Sequence, residues 1–223
     1  MKQSSRIRFI TFIISYFAMQ FIRSNILYYF MDDYTATFWT SGILFVVAIV
    51  LFHQFLRGEY QRFFQQFKGW PAFILKLLGM YLVISLVRSF VLMPLVSNFG
   101  GGTLVQSGIS SSDLLDIFPI FPLLQIFSIF GFIIDELVFR EGLLGWVDKN
   151  NKILLVVMTL LSIILFSYID APIPQMFILS VPLALVLSYY YFAYDRNVMG
   201  PILFHLIYFV TQSLFFLVQW ILL

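Results

Sequence analysis

The sequence predicts an all-α polytopic membrane protein with about seven transmembrane helices and a cytoplasmic N-terminus. Three observations carry this. Of the 223 residues, 61% are hydrophobic and only 11% are charged, against about 25% charged in a soluble domain. Apolar runs recur at roughly the 20-residue length that a bilayer requires. The Lys and Arg residues gather in alternate connections, as the positive-inside rule expects. The chain has no cysteine, which excludes disulfides and thiolate chemistry. Its net charge of +2 is spread among loops, with no basic stripe for nucleic acid.

The spans follow in order. The start, MKQSSRIRFITFIISYF, is basic and then apolar, with no small-residue cleavage site after it, and reads as a retained first span over 9–30. Further segments lie near 39–55, 71–95, 121–147, 153–169, 173–193 and 200–222, of which the second and fifth are short. Pro71, Pro119, Pro122, Pro172, Pro174 and Pro201 stand where helices would begin. Lys2, Arg6 and Arg8 precede the first span; Arg57, Arg62 and Lys68 follow the second; Lys149, Lys152 and Arg196 lie in later connections on the same side. The alternate loops 31–38, 96–120 and 170–172 hold Asp32, Asp33, Asp113, Asp116 and Asp170 but no Lys or Arg. The stretch RGEYQRFFQQFKGW (57–70) has the spacing of an amphipathic helix on the inner leaflet, with a solvated connector as the alternative. The Gly- and Ser-rich SNFGGGTLVQSGISSSD (97–113) reads as a loop, inert or gating a cavity. The whole is one transmembrane domain over 1–223, with N-terminal spans and loops in 1–113 and a C-terminal core in 114–223.

The chemistry concentrates in GFIIDELVFREGLLGWV (131–147). Asp135, Glu136, Arg140 and Glu141 place four charges inside an apolar run. Each costs roughly 2.5–3.5 kcal/mol at bilayer depth unless it pairs, faces a cavity or works. Glu136 and Arg140 are four apart with the acid first, the favourable order for an ion pair on one helix face. Asp135 points about 100° away. It is therefore placed to act as a base in a cavity, unless all four charges form a structural knot together with Arg23 or Arg88. His205, in GPILFHLIYFVTQ, is either a hydrogen-bonded core residue or a partner to those acids. Asp170, in LFSYIDAPIPQ, reads first as a turn residue before Pro172. No spacing suggests a metal site, and no cofactor is predicted. The aromatic runs LYYF (27–30) and YYYF (189–192) suit lipid contact or a docking face.

Together these stretches resemble the CPBP family, the CAAX-protease and bacteriocin-processing group that includes proteins like lysostaphin resistance protein A. The family's signatures are EExxxR, FxxxH and HxxxN in an all-helical intramembrane core. DELVFRE matches the first with Asp135 in place of the leading Glu, FSYID the second with Asp170 in place of His, and HLIYF the third with His205 kept and Phe209 in place of Asn. The resemblance covers roughly 115–220. It implies an intramembrane endopeptidase site at Asp135, Glu136, Arg140, Asp170 and His205, in which the first acid activates water and the later residues steady the oxyanion. The departures point the other way. Asp is one methylene shorter than Glu, an ionised Asp170 repels an oxyanion, and Phe209 donates nothing. One lost oxyanion donor costs about 10²–10³ in rate. Two function classes follow. One is a non-proteolytic scaffold or regulator of a membrane-anchored cell-envelope protein, such as a cell-wall hydrolase, in a bacterial plasma membrane. The other is an active endopeptidase of bacteriocin processing or immunity, using Asp135 or Glu136 with His205.

Overall fold

The computed structural model describes residues 3–31, 33–66, 69–99, 121–170 and 174–222. Most of the Gly- and Ser-rich loop, with Asp113, Asp116 and Pro119, lies outside them, as do Lys2, Asp32, Lys68 and Pro172. Within the described residues the chain is helical and has no strand. Four helices are long and apolar enough to cross a membrane: Thr35–Gln66, Pro71–Val96, Lys152–Ile169 and Met176–Ala193. The chain is an all-α polytopic membrane protein.

Helix α1 (Gln3–Asn25) buries Phe9, Phe12 and Tyr16, a stripe at the three- and four-residue spacing of one helix face. Phe9 stacks on Phe52 of α2 at 4.3 Å and meets Phe55 edge-on at 5.5 Å. Helix α2 (Asp33–Gln66) is 34 residues long and merges the second predicted span with the first part of the predicted inner-leaflet helix. Sequence reading expected a break near residue 56. None occurs because Gly58 alone does not stop a helix, and Glu59 and Phe63 continue the buried face of Leu44, Ala48 and Phe52. The chain turns at Gly69, whose φ of 124° suits glycine. Pro71 then sits in the first turn of α3 (Trp70–Leu86).

From α3 the chain continues through a π-helical turn, π1 (Val87–Leu92), into α4 (Met93–Phe99). A second π turn, π2 (Leu137–Gly142), follows α5 (Phe121–Glu136) and carries part of the charged stretch. Helices α6 (Lys152–Asp170), α7 (Pro174–Ala193) and α8 (Met199–Leu222) complete the bundle. Helix α2 packs along α5, and α7 lies against both α6 and α8. One apolar core runs through helices of both halves of the chain.

The basic connections meet at one end of this bundle. Arg62 donates to the Arg196 carbonyl at 3.1 Å, Arg196 to the Val147 carbonyl at 2.5 Å, and Lys149 pairs with Asp195 at 2.5 Å. Asp195 and Arg196 take left-handed backbone, with φ of 52° and 59°, a conformation costly for non-glycine residues. Buried Asn197 holds this turn. Its amide donates to the Glu59 carbonyl at 2.9 Å, and its side-chain oxygen accepts from the Met199 N–H at the start of α8. The alternation read from sequence thus puts 57–66, 148–149 and 195–196 on a common side.

One aromatic reading is corrected. In YYYF, Tyr190 and Tyr191 are fully buried, Tyr190 stacking on Phe204 at 4.8 Å. They are core residues and do not face lipid. Tyr29 and Phe30 of LYYF, by contrast, are exposed.

Candidate functional site

The charged stretch is built where α5 gives way to π2. A π turn shifts the backbone pairing by one residue and recurs at functional sites. Here it leaves the Phe139 carbonyl to accept from Ser162 Oγ of α6 at 2.5 Å. Every residue from Leu137 to Gly142 is buried. A Cβ at Gly142 would come within 2.9 Å of the Ile13 side chain of α1 and 3.1 Å of the Leu137 carbonyl, so glycine keeps the two elements close without a shift.

The four charges do not form one knot. They separate into three neighbourhoods. Glu136 and Arg140 pair as the spacing predicted, with Nε 3.4 Å from Oε2 and both side chains fully enclosed. The other Glu136 oxygen lies 3.1 Å from His205 Nδ1. Arg140 also donates to the Ala184 carbonyl at 3.1 Å and lies over the Phe166 ring at 4.9 Å. Asp135 turns away, half-buried, and accepts from Tyr16 Oη of α1 at 2.9 Å. Glu141 accepts from Tyr191 Oη at 2.9 Å. Its carboxylate folds back over Gly145, where a Cβ would meet it at 2.5 Å. Neither Arg23 nor Arg88 is ion-paired to these acids. Arg88 donates instead to Leu179 and Tyr208.

His205 is held between rings. Phe132 stacks on the imidazole at 4.1 Å and 23°, and Phe166 meets it edge-on at 5.8 Å. Phe209 packs on Phe132 at 4.9 Å. Asp170 is the last residue of α6, and its side chain lies outside the described residues. The structure therefore unites Glu136, Arg140 and His205 and sets Asp135 beside α1. Sequence reading missed Tyr16 and Phe132, which follow no motif and are fixed only by packing. Tyr191 was visible as part of an aromatic run, but nothing in its spacing pointed to Glu141. Among the described residues no group of three or more His, Cys, Asp and Glu side chains is arranged to hold a metal.

Chemically, a carboxylate on an imidazole is the contact of a general base. Here the same carboxylate is neutralised by a guanidinium, and aromatic rings pack round the imidazole. Residues 117–211 match the family model described as type II CAAX prenyl endopeptidase Rce1-like. That segment contains Asp135, Glu136, Arg140, Asp170 and His205, so the CPBP resemblance is borne out over it. No curated protein and no solved structure matches.

Proposed function

We propose that this CAAX-protease-like membrane protein is non-proteolytic and acts as a scaffold or regulator of another membrane protein, such as a membrane-anchored cell-wall hydrolase. The observation that carries the reading is the enclosure of the Glu136–Arg140 pair and of His205. Glu136 and Arg140 are fully buried, His205 is 5% exposed, and Phe132 stacks on the imidazole. Phe209 behind it supplies no donor. The charges then serve the bundle: Glu136 joins α5 to α8 through His205, and Arg140 joins π2 to α7.

The opposing reading, an endopeptidase with Glu136 or Asp135 as base, is favoured by the 3.1 Å contact between Glu136 and His205. A deletion strain complemented with Asp135→Ala and His205→Ala separates the two. Both variants leave the Glu136–Arg140 pair in place. At equal membrane abundance, a scaffold retains its envelope phenotype with either change. Loss of complementation with full abundance overturns the scaffold reading.

A further inference from the structure

Lys76 stands six residues after Trp70, about 9 Å along α3 from the end of the bundle that carries the basic loops. Its ammonium lies over three rings, those of Tyr189 and Tyr190 in α7 at 5.1 and 5.5 Å and that of Tyr194 in the turn beyond at 5.9 Å. Ring faces attract an ammonium and orient it, but carry no countercharge. The acids of this end are engaged elsewhere. Glu59 pairs with Arg62 at 2.7 Å and Asp195 with Lys149 at 2.5 Å. Glu141 accepts from Tyr191 at 2.9 Å, and Asp148 accepts from the Asn150 N–H at 2.9 Å. Among the described residues Lys76 has no ion pair.

The charge shares its helix face with an apolar strip. Gly79 and Val83 follow Lys76 at i+3 and i+7, the spacing of one face. Both are exposed, Val83 to 50%. A Cβ at Gly79 would meet nothing within 4 Å, so the missing side chain leaves a gap between Lys76 and Val83. Helix α7 runs antiparallel alongside, since Lys76 meets Tyr189 and Arg88, farther along, meets the Leu179 carbonyl. Between residues 181 and 190 α7 exposes Leu185 and Tyr189, to 51% and 47%. These lie one turn apart on one face, and Tyr189 carries a ring that Lys76 touches. An ammonium thus stands at the basic end of a strip formed by Gly79, Val83 and Leu185, which runs about 10 Å toward the bilayer centre.

We propose that Lys76 seats the phosphate of an anionic phospholipid from the leaflet at the basic end, with an acyl chain in the gap at Gly79 between Val83 and Leu185. Phosphate fits because an ammonium with three donors and no carboxylate partner binds it as a point charge. A lipid source fits because the strip that continues from the charge is apolar and exposed, and anionic headgroups gather at lysines beside the membrane surface. The rings hold the ammonium in place beforehand, which lowers the ordering cost of binding.

The test is lipid retention by the purified full chain in detergent, read by native mass spectrometry. The probes are phosphatidylglycerol, a diacylglycerol with the same chains, and inorganic phosphate. The wild type should retain phosphatidylglycerol about fivefold more tightly than diacylglycerol. Lys76→Gln should remove that difference, and Lys152→Gln, which alters another exposed cation of the same end, should keep it. Gly79→Leu fills the gap and should weaken retention of both lipids several-fold. Equal retention of phosphatidylglycerol by wild type and Lys76→Gln overturns the site, as does an equal loss with Lys152→Gln. Equal retention of the two lipids by the wild type does the same. Retention of inorganic phosphate as strong as that of phosphatidylglycerol overturns the lipid source. If Lys76→Gln does not fold, Gly79→Leu decides. Leucine favours helix over glycine and has open space there, and unchanged retention by that variant overturns the proposal.

Discussion

The two π turns carry the same device into opposite settings. Each is six residues long and each holds an arginine. Arg140 in π2 is fully enclosed, with a carboxylate, a carbonyl and a ring for partners. Arg88 in π1 is half-buried, with a carbonyl and a phenol and no acid among the described residues. The difference teaches that a charge in a span is not one kind of feature. Arg140 is closed in with an acid, whereas Arg88 ties its helix to α7 and α8 through a carbonyl and a phenol.

The largest effect expected from breaking this contrast is at π2. Arg140→Ala leaves Glu136 enclosed beside His205 with no guanidinium, at a cost of about 3–5 kcal/mol. It should show as loss of the protein from membranes and a lower Tm in detergent. Arg88→Ala should cost less, about 1–2 kcal/mol, because no residue of π1 is buried. Equal losses for the two arginines would erase the contrast. Tyr16→Phe removes the α1 hydroxyl from Asp135 and should cost about 1 kcal/mol. A Tm unchanged by this substitution would mean that apolar packing alone holds α1 against π2.

The smallest effect is at the aqueous end. The hydrogen bond from Lys149, and then its charge, hold the Asp195 carboxyl below its usual range. A lowered folded-state value stabilises above the unfolded value near ~4, and the stabilisation is lost as pH falls through the folded value. Both side chains are 62% exposed, so screening keeps the pair below about 1 kcal/mol. Lys149→Met should lower Tm slightly at pH 7, and the gap should close below about pH 4. A gap that persists in acid would assign the effect to packing of the lysine stem.

Much of the fold was legible, for reasons particular residues make plain. Apolar length and the alternation of Arg57, Arg62, Lys149 and Arg196 with acidic loops gave helices and a common side. The spacing of Glu136 and Arg140 gave their pair, since four residues keep one face even through π2. The π2 turn was hidden, because the Phe139 carbonyl is taken up by Ser162 of another helix. The length of α2 was misread because polar residues at 57–62 mimic a boundary, while Glu59 and Phe63 are buried by the distant turn at Asn197. Tyr190 and Tyr191 were misread because a run of aromatics has no preferred face until α7 is packed on both sides. Tyr16, which donates to Asp135, lies 119 residues away, beyond any local pattern.

The uninterrupted 34 residues of α2 measure about 51 Å from end to end, while the hydrocarbon layer is about 30 Å thick. The helix cannot be submerged whole, and it is fastened at two heights. Glu59 is tied to Asn197 near the basic end, and Phe45 stacks on Phe130 of α5 at 4.2 Å deeper in the bundle. A thinner bilayer tilts a helix that is too long for it. Because α2 has no hinge between those two fastenings, such a tilt moves the start of α8 and the middle of α5 together.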